Sequence, residues 1–168
     1  MALVGPPASG KSTIGAALAF RLGVAFLDTD QMVESVAGKP SEDIFVEFGE
    51  AEFRRIEADQ VLAALRQPDA IVAVGSGAVQ TEQVAQALAD VTVVRLQVAH
   101  GVSAKRAGLS GPRPVALGNV LTQWRKMIAE RDPIYERLAT ITIDSGEHPV
   151  SECVEALAVA LAVGEQPD

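Results

Sequence analysis

The run Gly5-Pro6-Pro7-Ala8-Ser9-Gly10-Lys11-Ser12 fits the pattern G-x-x-x-x-G-K-[ST], and Thr13 follows it. An apolar stretch, Ala2-Leu3-Val4, comes before, and residues 14–22 after it carry apolar or small side chains wherever a packed helix would bury them. A strand, glycine loop and helix in this order turn successive backbone N–H groups toward phosphate oxygens at the positive end of a helix. Gly5, Ala8, Ser9, Gly10 and Thr13 then form a cradle, Lys11 reaches the β- and γ-phosphates, and the Ser12 hydroxyl is a ligand for Mg²⁺. The chemistry implied is binding of a nucleoside triphosphate.

Other groups gather around that expectation. Val24-Ala25-Phe26-Leu27 is apolar and ends in Asp28-Thr29-Asp30. Ligands of parallel α/β sheets lie at the carboxyl ends of strands, which puts both aspartates beside the loop. Asp28 suits a Mg²⁺ shell of oxygens and waters, and Asp30 suits an acceptor hydroxyl; Asp28 or Thr29 can equally cap the following helix. Gly75-Ser76-Gly77 follows another apolar run and is either a ligand-facing turn or an ordinary strand-to-helix turn. Arg54 and Arg55 stand four residues from Glu50 and Asp59, a spacing that a solvated salt-bridge ladder explains. Arg131 near a helix end, and Arg106 as a base-stacking cation, have equally plain readings as surface charges.

The elements that must position these groups alternate regularly. Strands are expected near 2–4, 24–27, 70–74, 91–96 and 139–143. Helices are expected over 11–22, 30–37, 41–66 with a break at Gly49, 80–89, 99–108, 118–137 and 149–162. Fully apolar strands between helices predict an α/β three-layer sandwich around a parallel sheet. Residues 108–118 hold three glycines and two prolines around Arg113 and read as a lid loop whose arginine closes on the phosphates. Residues 1–163 form one domain, with 164–168 a polar tail.

Composition narrows the field. The chain has 168 residues and a net charge of −8, which disfavours nucleic acid as a partner. No apolar run is long enough to span a membrane, and the chain enters its first strand with no room for a signal peptide. A single cysteine, Cys153, forms no internal disulfide and suits a reducing cytoplasm. Its apolar helical surroundings predict a core position.

In order, the P-loop, Leu27-Asp28-Thr29-Asp30, Phe53-Arg54-Arg55-Ile56-Glu57, Gly75-Ser76-Gly77-Ala78-Val79, Arg113-Pro114 and Arg131-Asp132-Pro133-Ile134-Tyr135 resemble the shikimate kinases, actinobacterial forms above all. The resemblance runs from the first strand to the last helix. It implies a nucleoside-monophosphate-kinase-like fold with five parallel strands in the order 2-3-1-4-5. It also implies transfer of the ATP γ-phosphoryl group to the 3-hydroxyl of shikimate, with Mg²⁺, by a cytoplasmic monomer. Carried over by position, Arg54 and Arg131 grip the shikimate carboxylate, and Asp30 contacts its hydroxyls. Phe45 and Phe53 line a substrate-binding subdomain at 30–66, and Gly75, Ser76 and Gly77 border the substrate. Lys11 and Arg113 stabilise the transferring phosphoryl group, Arg106 stacks on adenine, and Ser12 with Asp28 forms the magnesium shell.

Two departures stand out. Serine occupies the middle of the family's usual Gly-Gly-Gly turn, which means strain if that position needs a positive φ and an added contact if it does not. Arg113-Pro114-Val115-Ala116-Leu117 replaces the usual Arg-Pro-Leu-Leu. The nearest rival enzyme is a gluconate kinase, which shares the fold and loop but does not predict the aspartate box with Phe53-Arg54 and Arg131. A GTPase-type switch would carry Asn-Lys-x-Asp, which is missing here.

Overall fold

The computed structural model describes residues 1–109 and 119–164. The expected lid at 108–118 and tail at 164–168 fall almost wholly outside that range, and Arg113 entirely so. Among the described residues the chain runs β1 (Ala2–Val4), α1 (Lys11–Leu22), β2 (Ala25–Asp28), α2 (Thr29–Ala37), α3 (Ser41–Leu65), β3 (Ala70–Ala73), a 3-10 turn (Ala78–Gln80), α4 (Glu82–Leu88), β4 (Val93–Gln97), α5 (His100–Arg106), α6 (Val120–Leu138), β5 (Ile141–Asp144) and α7 (Val150–Gly164). The five strands are parallel and ordered β2-β3-β1-β4-β5, as expected.

Alternation along the strands divides the interior into two layers. Val4, Val72, Val74 and Val93 face α3, α4 and α6, joined by Val61, Leu88 and Tyr135. Leu3, Ile71, Val94 and Leu96 face α1 and α7, where Ile14, Leu18, Cys153 and Leu157 meet them. Cys153 is therefore the core residue expected, and burial pushes its thiol pKa up, which makes it a poor nucleophile. No helix among the described residues is long and apolar enough to cross a membrane.

Local breaks have local causes. Gly49 sits at φ 83°, ψ 170° inside α3, conformations that only glycine adopts without strain, and it separates a short helical arm from the longer helix that packs on the sheet. Pro133 lies within α6, where it cannot donate to the Ala129 carbonyl. Ala129 is on the exposed side, so water can take that carbonyl and the helix continues. The expected segment 80–89 is split instead, into the 3-10 turn and α4, because Thr81 is extended (φ −81°, ψ 123°).

Registers set Asp28 beside Ala73, Leu3 beside Ala73 and Val94, and Val4 beside Arg95. The carboxyl ends of β1, β2 and β3 thus share one edge, from which the loop at 5–10, α2 and the turn at 75–77 all start. Close approach of α1 to this sheet needs Gly15, because a Cβ there would stand 2.6 Å from the Phe26 ring and 2.9 Å from Leu3 Cδ1. Gly15→Val should therefore overpack this contact and lower Tm by roughly 5–10 °C. Thermal unfolding followed by circular dichroism checks it; an unchanged Tm would mean that the helix and sheet have slack at this point.

Candidate active site

The loop at 5–10 wraps the start of α1. Gly10, at φ 95°, provides the left-handed turn into the helix, and Ala8 is also left-handed at φ 59°. Lys11 folds back over its own loop and donates from Nζ to the Gly5 carbonyl (2.9 Å) and the Pro6 carbonyl (3.1 Å). Burial of that ammonium pushes its pKa down to about 8, although Asp30 and Asp28 pull it upward. A cavity of about 290 Å³ opens over this region, lined by Lys11, Ser12, Thr13, Asp30 and Ser76 among others.

Asp28 bonds in two directions. Its Oδ1 accepts from the Asp30 N–H (3.1 Å) and caps α2, while Oδ2 accepts from the Ser12 hydroxyl (2.6 Å). Two hard oxygen donors meet at the mouth of the phosphate cradle, the kind of small set that Mg²⁺ uses with substrate phosphates and water. No cluster of three or more His, Cys, Asp or Glu side chains fit for a metal occurs among the described residues. These donors fit an ion that arrives with a nucleotide, not a preformed metal cage.

A second cavity, of about 550 Å³, adjoins the first. Phe45, Phe53, Arg54, Ser76, Gly77 and Arg131 line it, and Asp30 and Ser76 border both spaces. Arg54 donates from Nη1 to Glu57 Oε2 at 2.6 Å; Glu50, the partner expected from i,i+4 spacing, is 3.7 Å away. Arg55 alone forms the solvated ladder, with Glu52 and Asp59. The Phe53 ring lies under the Arg54 guanidinium (5.3 Å) and edge-to-face with Phe45 (5.9 Å). Glu57 is only 3% exposed, and burial pushes its carboxyl pKa up while Arg54 pulls it down. Asp30 is open to cavity water yet hemmed in by protein, and this desolvation raises its pKa against the pull of Lys11 and Arg54.

The turn at 75–77 holds the two walls together. Gly75 does not line either cavity; it donates its N–H to Thr29 Oγ1 (2.9 Å), and a Cβ there would stand 2.6 Å from Asp30 Oδ1 and 2.8 Å from Glu57 Oε1. A Cβ on Gly77 would press within 2.8 Å of Arg54 Cζ. Both glycines serve close packing. Ser76 is not among the positive-φ residues, so serine brings no strain of that kind; its hydroxyl accepts a long hydrogen bond from Arg131 Nη1 (3.4 Å). Its carbonyl accepts from the Tyr135 hydroxyl at 2.6 Å.

A third cavity, of about 400 Å³, lies on the other side of the loop between Ala8, Ser9, Gly10, Arg106 and His148. Arg106 is anchored there by the Ser145 carbonyl (2.9 Å) and the Gly146 carbonyl (3.2 Å). Ser9, fully buried, has an Oγ with no partner. Of the residues singled out by sequence, Ala8 to Thr13, Asp30, Phe45, Phe53, Arg54, Ser76, Gly77, Arg106 and Arg131 line three adjoining spaces. Gly5 and Asp28 line none of them and meet the site through Lys11 and Ser12; Gly75 stands behind the turn, and Arg113 lies outside the described residues.

Glu57, Thr29, Gln80 and Tyr135 were not singled out as site residues. Thr29, Glu57 and Tyr135 stood within the quoted motifs. Thr29 and Tyr135 meet partners distant in the chain, which no spacing marks, whereas Glu57 is three residues from Arg54, a helical spacing that could have found it.

A family model described as shikimate kinase matches residues 7–162. The shikimate kinase of Thermobifida fusca is 46% identical over 95% of this chain and 92% of its own. The chain belongs to the shikimate kinase family. Among solved structures, the family's enzyme from Acinetobacter baumannii in complex with shikimate is 27% identical and covers 99% of this chain and 94% of that one, with a TM-score of 0.90. A gluconokinase from Sinorhizobium meliloti, at 18% identity and a TM-score of 0.55 over 98% and 97% of the two chains, shares the fold alone.

Tyr135 is the chain's only tyrosine, which makes its environment directly readable. Burial pushes its phenol up to about 12. Because the folded-state pKa lies above the ordinary value of 10, the associated stability is present below pH 10 and lost between pH 10 and 12. Absorbance titration of the folded protein should give a midpoint near 12, falling to about 10 in denaturant. A folded-state midpoint near 10 would contradict the buried bond to Ser76.

Proposed function

We propose that this chain transfers the γ-phosphoryl group of ATP to the 3-hydroxyl of shikimate. The observation that carries the reading is the shared wall: Asp30 and Ser76 border both the cradle of Lys11 and the cavity of Arg54 and Arg131. A phosphate chain on one side and a small carboxylic acid on the other would meet at Asp30. Family membership supports the same assignment.

In this reading Arg54 and Arg131 hold the acid's carboxylate through planar, paired donors. Glu57 fixes the Arg54 guanidinium, and the Phe53 ring supports it from below. Asp30 accepts from the reacting hydroxyl and orients its oxygen toward phosphorus. That oxygen forms the new P–O bond as the bond to the ADP oxygen breaks, and the hydroxyl proton leaves to Asp30 or water. Lys11 exchanges its two loop carbonyls for phosphate oxygens, and Arg113 adds a second cation from the lid at 108–118. Ser12 and Asp28 would hold Mg²⁺, which supplies charge neutralisation of the phosphates. Arg106 stacks on the base. Residues 30–66 form the acceptor-binding part of a single kinase domain, acting as a cytoplasmic monomer.

A coupled assay of ADP release with and without shikimate tests the reading, with gluconate as the comparison substrate. Shikimate should accelerate release strongly and gluconate should not; the reverse would sink the assignment. Arg54→Ala should raise KM for shikimate roughly 10- to 100-fold, whereas Lys11→Ala should lower kcat about a thousandfold or more. Interchange of those two effects would refute the assigned roles.

Lys11 also yields a linkage prediction. Its pKa of about 8 in the free protein should rise when phosphates replace carbonyls around it, since anions favour the ammonium. ATP binding at pH 8 should then take up about half a proton, and almost none at pH 6.5. Calorimetry in buffers of different ionisation enthalpy measures this, and Lys11→Met should remove it. Proton release at pH 8, or uptake that survives the substitution, would refute the account.

A further inference from the structure

The two arginines of the acceptor cavity are held in opposite ways. Arg54 has a buried carboxylate, Glu57, at 2.6 Å. Arg131 has no carboxylate within ion-pairing distance among the described residues; its Nε donates to the Gln80 side-chain carbonyl at 3.0 Å and its Nη1 to the Ser76 hydroxyl at 3.4 Å. The adjacent carboxylate, Asp132, is drawn away: Arg95 on β4, only 6% exposed, takes it at 2.7 Å. The cavity wall itself carries four carboxylates, Asp30, Glu34, Glu42 and Glu57, against two arginines. An anion entering such a space needs a cation whose charge is not already spent.

We infer that Gln80 is a positioning residue for the acceptor, orienting Arg131 with a neutral oxygen so that its charge stays unmatched for the carboxylate of the substrate. The inference rests on the substrate reading above. A glutamate at this position would hold Arg131 as well, or better, since an ion pair replaces a neutral hydrogen bond. It would also satisfy the guanidinium's charge and repel an arriving carboxylate. A merely structural role for Gln80 predicts the opposite order, with the isosteric acid gentler than truncation.

Steady-state kinetics on wild type, Gln80→Ala and Gln80→Glu separate the two. Gln80→Ala should raise KM for shikimate about three- to fivefold, through loss of orientation. Gln80→Glu should raise it about tenfold or more, with the excess over alanine shrinking as salt is raised from 0.05 to about 0.5 M. KM for ATP should stay within about twofold of wild type in both, because Gln80 lines neither phosphate space. A KM for Gln80→Glu at or below that of Gln80→Ala would overturn the inference. So would two variants indistinguishable from wild type, or a parallel rise in KM for ATP. A wild-type enzyme indifferent to shikimate would show instead that the substrate reading has failed, and this inference would fall with it.

Discussion

Two hydrogen bonds fasten the turn at 75–77 from opposite sides, and the acceptor cavity is built against that turn. Thr29, at the start of α2, accepts from the Gly75 N–H, and Tyr135, on α6, donates to the Ser76 carbonyl. The first ties the turn to β2 and the Asp28–Asp30 pair. The second ties it to α6 and Arg131. Bulk at either glycine would disturb the site itself, since Asp30, Glu57 and Arg54 already fill the places where Cβ atoms on Gly75 and Gly77 would stand. Close packing at one turn therefore brings a carboxylate from α2, an arginine and a glutamate from α3, and an arginine from α6 into one space.

Electrostatics then sorts these groups. A chain of net charge −8 cannot draw in anions by its overall field. It must do so through cations whose direct hydrogen bonds go to neutral groups. Lys11 rests on neutral carbonyls and Arg131 on neutral side-chain oxygens, while Asp132 is committed to Arg95 and Glu57 to Arg54. The Arg95–Asp132 pair is costly by itself, because the Arg95 Nε is buried without a partner. Its local consequence is that α6 is anchored to β4 one residue from Arg131, by a bond that also engages the carboxylate next to Arg131 in the chain.

Much of this was legible from sequence where a feature is local. The loop at 5–12 carries its own pattern, and apolar runs and helical spacing set β1, α1 and the five-strand alternation to within a residue or two. Gly49 marked its own break. Site residues at strand ends followed from a rule about parallel sheets and needed no contact information. What escaped depends on partners far apart in the chain. Tyr135 and Ser76 are 59 residues apart, and Arg131 and Gln80 are 51 apart. Arg54 is the instructive case: helical spacing allows both Glu50, four residues away, and Glu57, three away, and it is burial, which spacing does not give, that decides for Glu57.

The departure at Ser76 bears on how far a family pattern constrains a single chain. A middle glycine would be obligatory only if the backbone needed a positive φ, and here it does not. The flanking glycines are different, because Gly75 and Gly77 are confined by side chains that belong to the site itself. Space, not backbone freedom, governs the turn, and only its middle residue has room for a side chain. That side chain borders both cavities and touches Arg131, so a hydroxyl there shapes the boundary across which a phosphoryl group would pass. The turn's backbone is fixed by Thr29 and Tyr135 whichever residue stands at 76, which leaves the position open to tuning the contact with Arg131 while the fold is left alone.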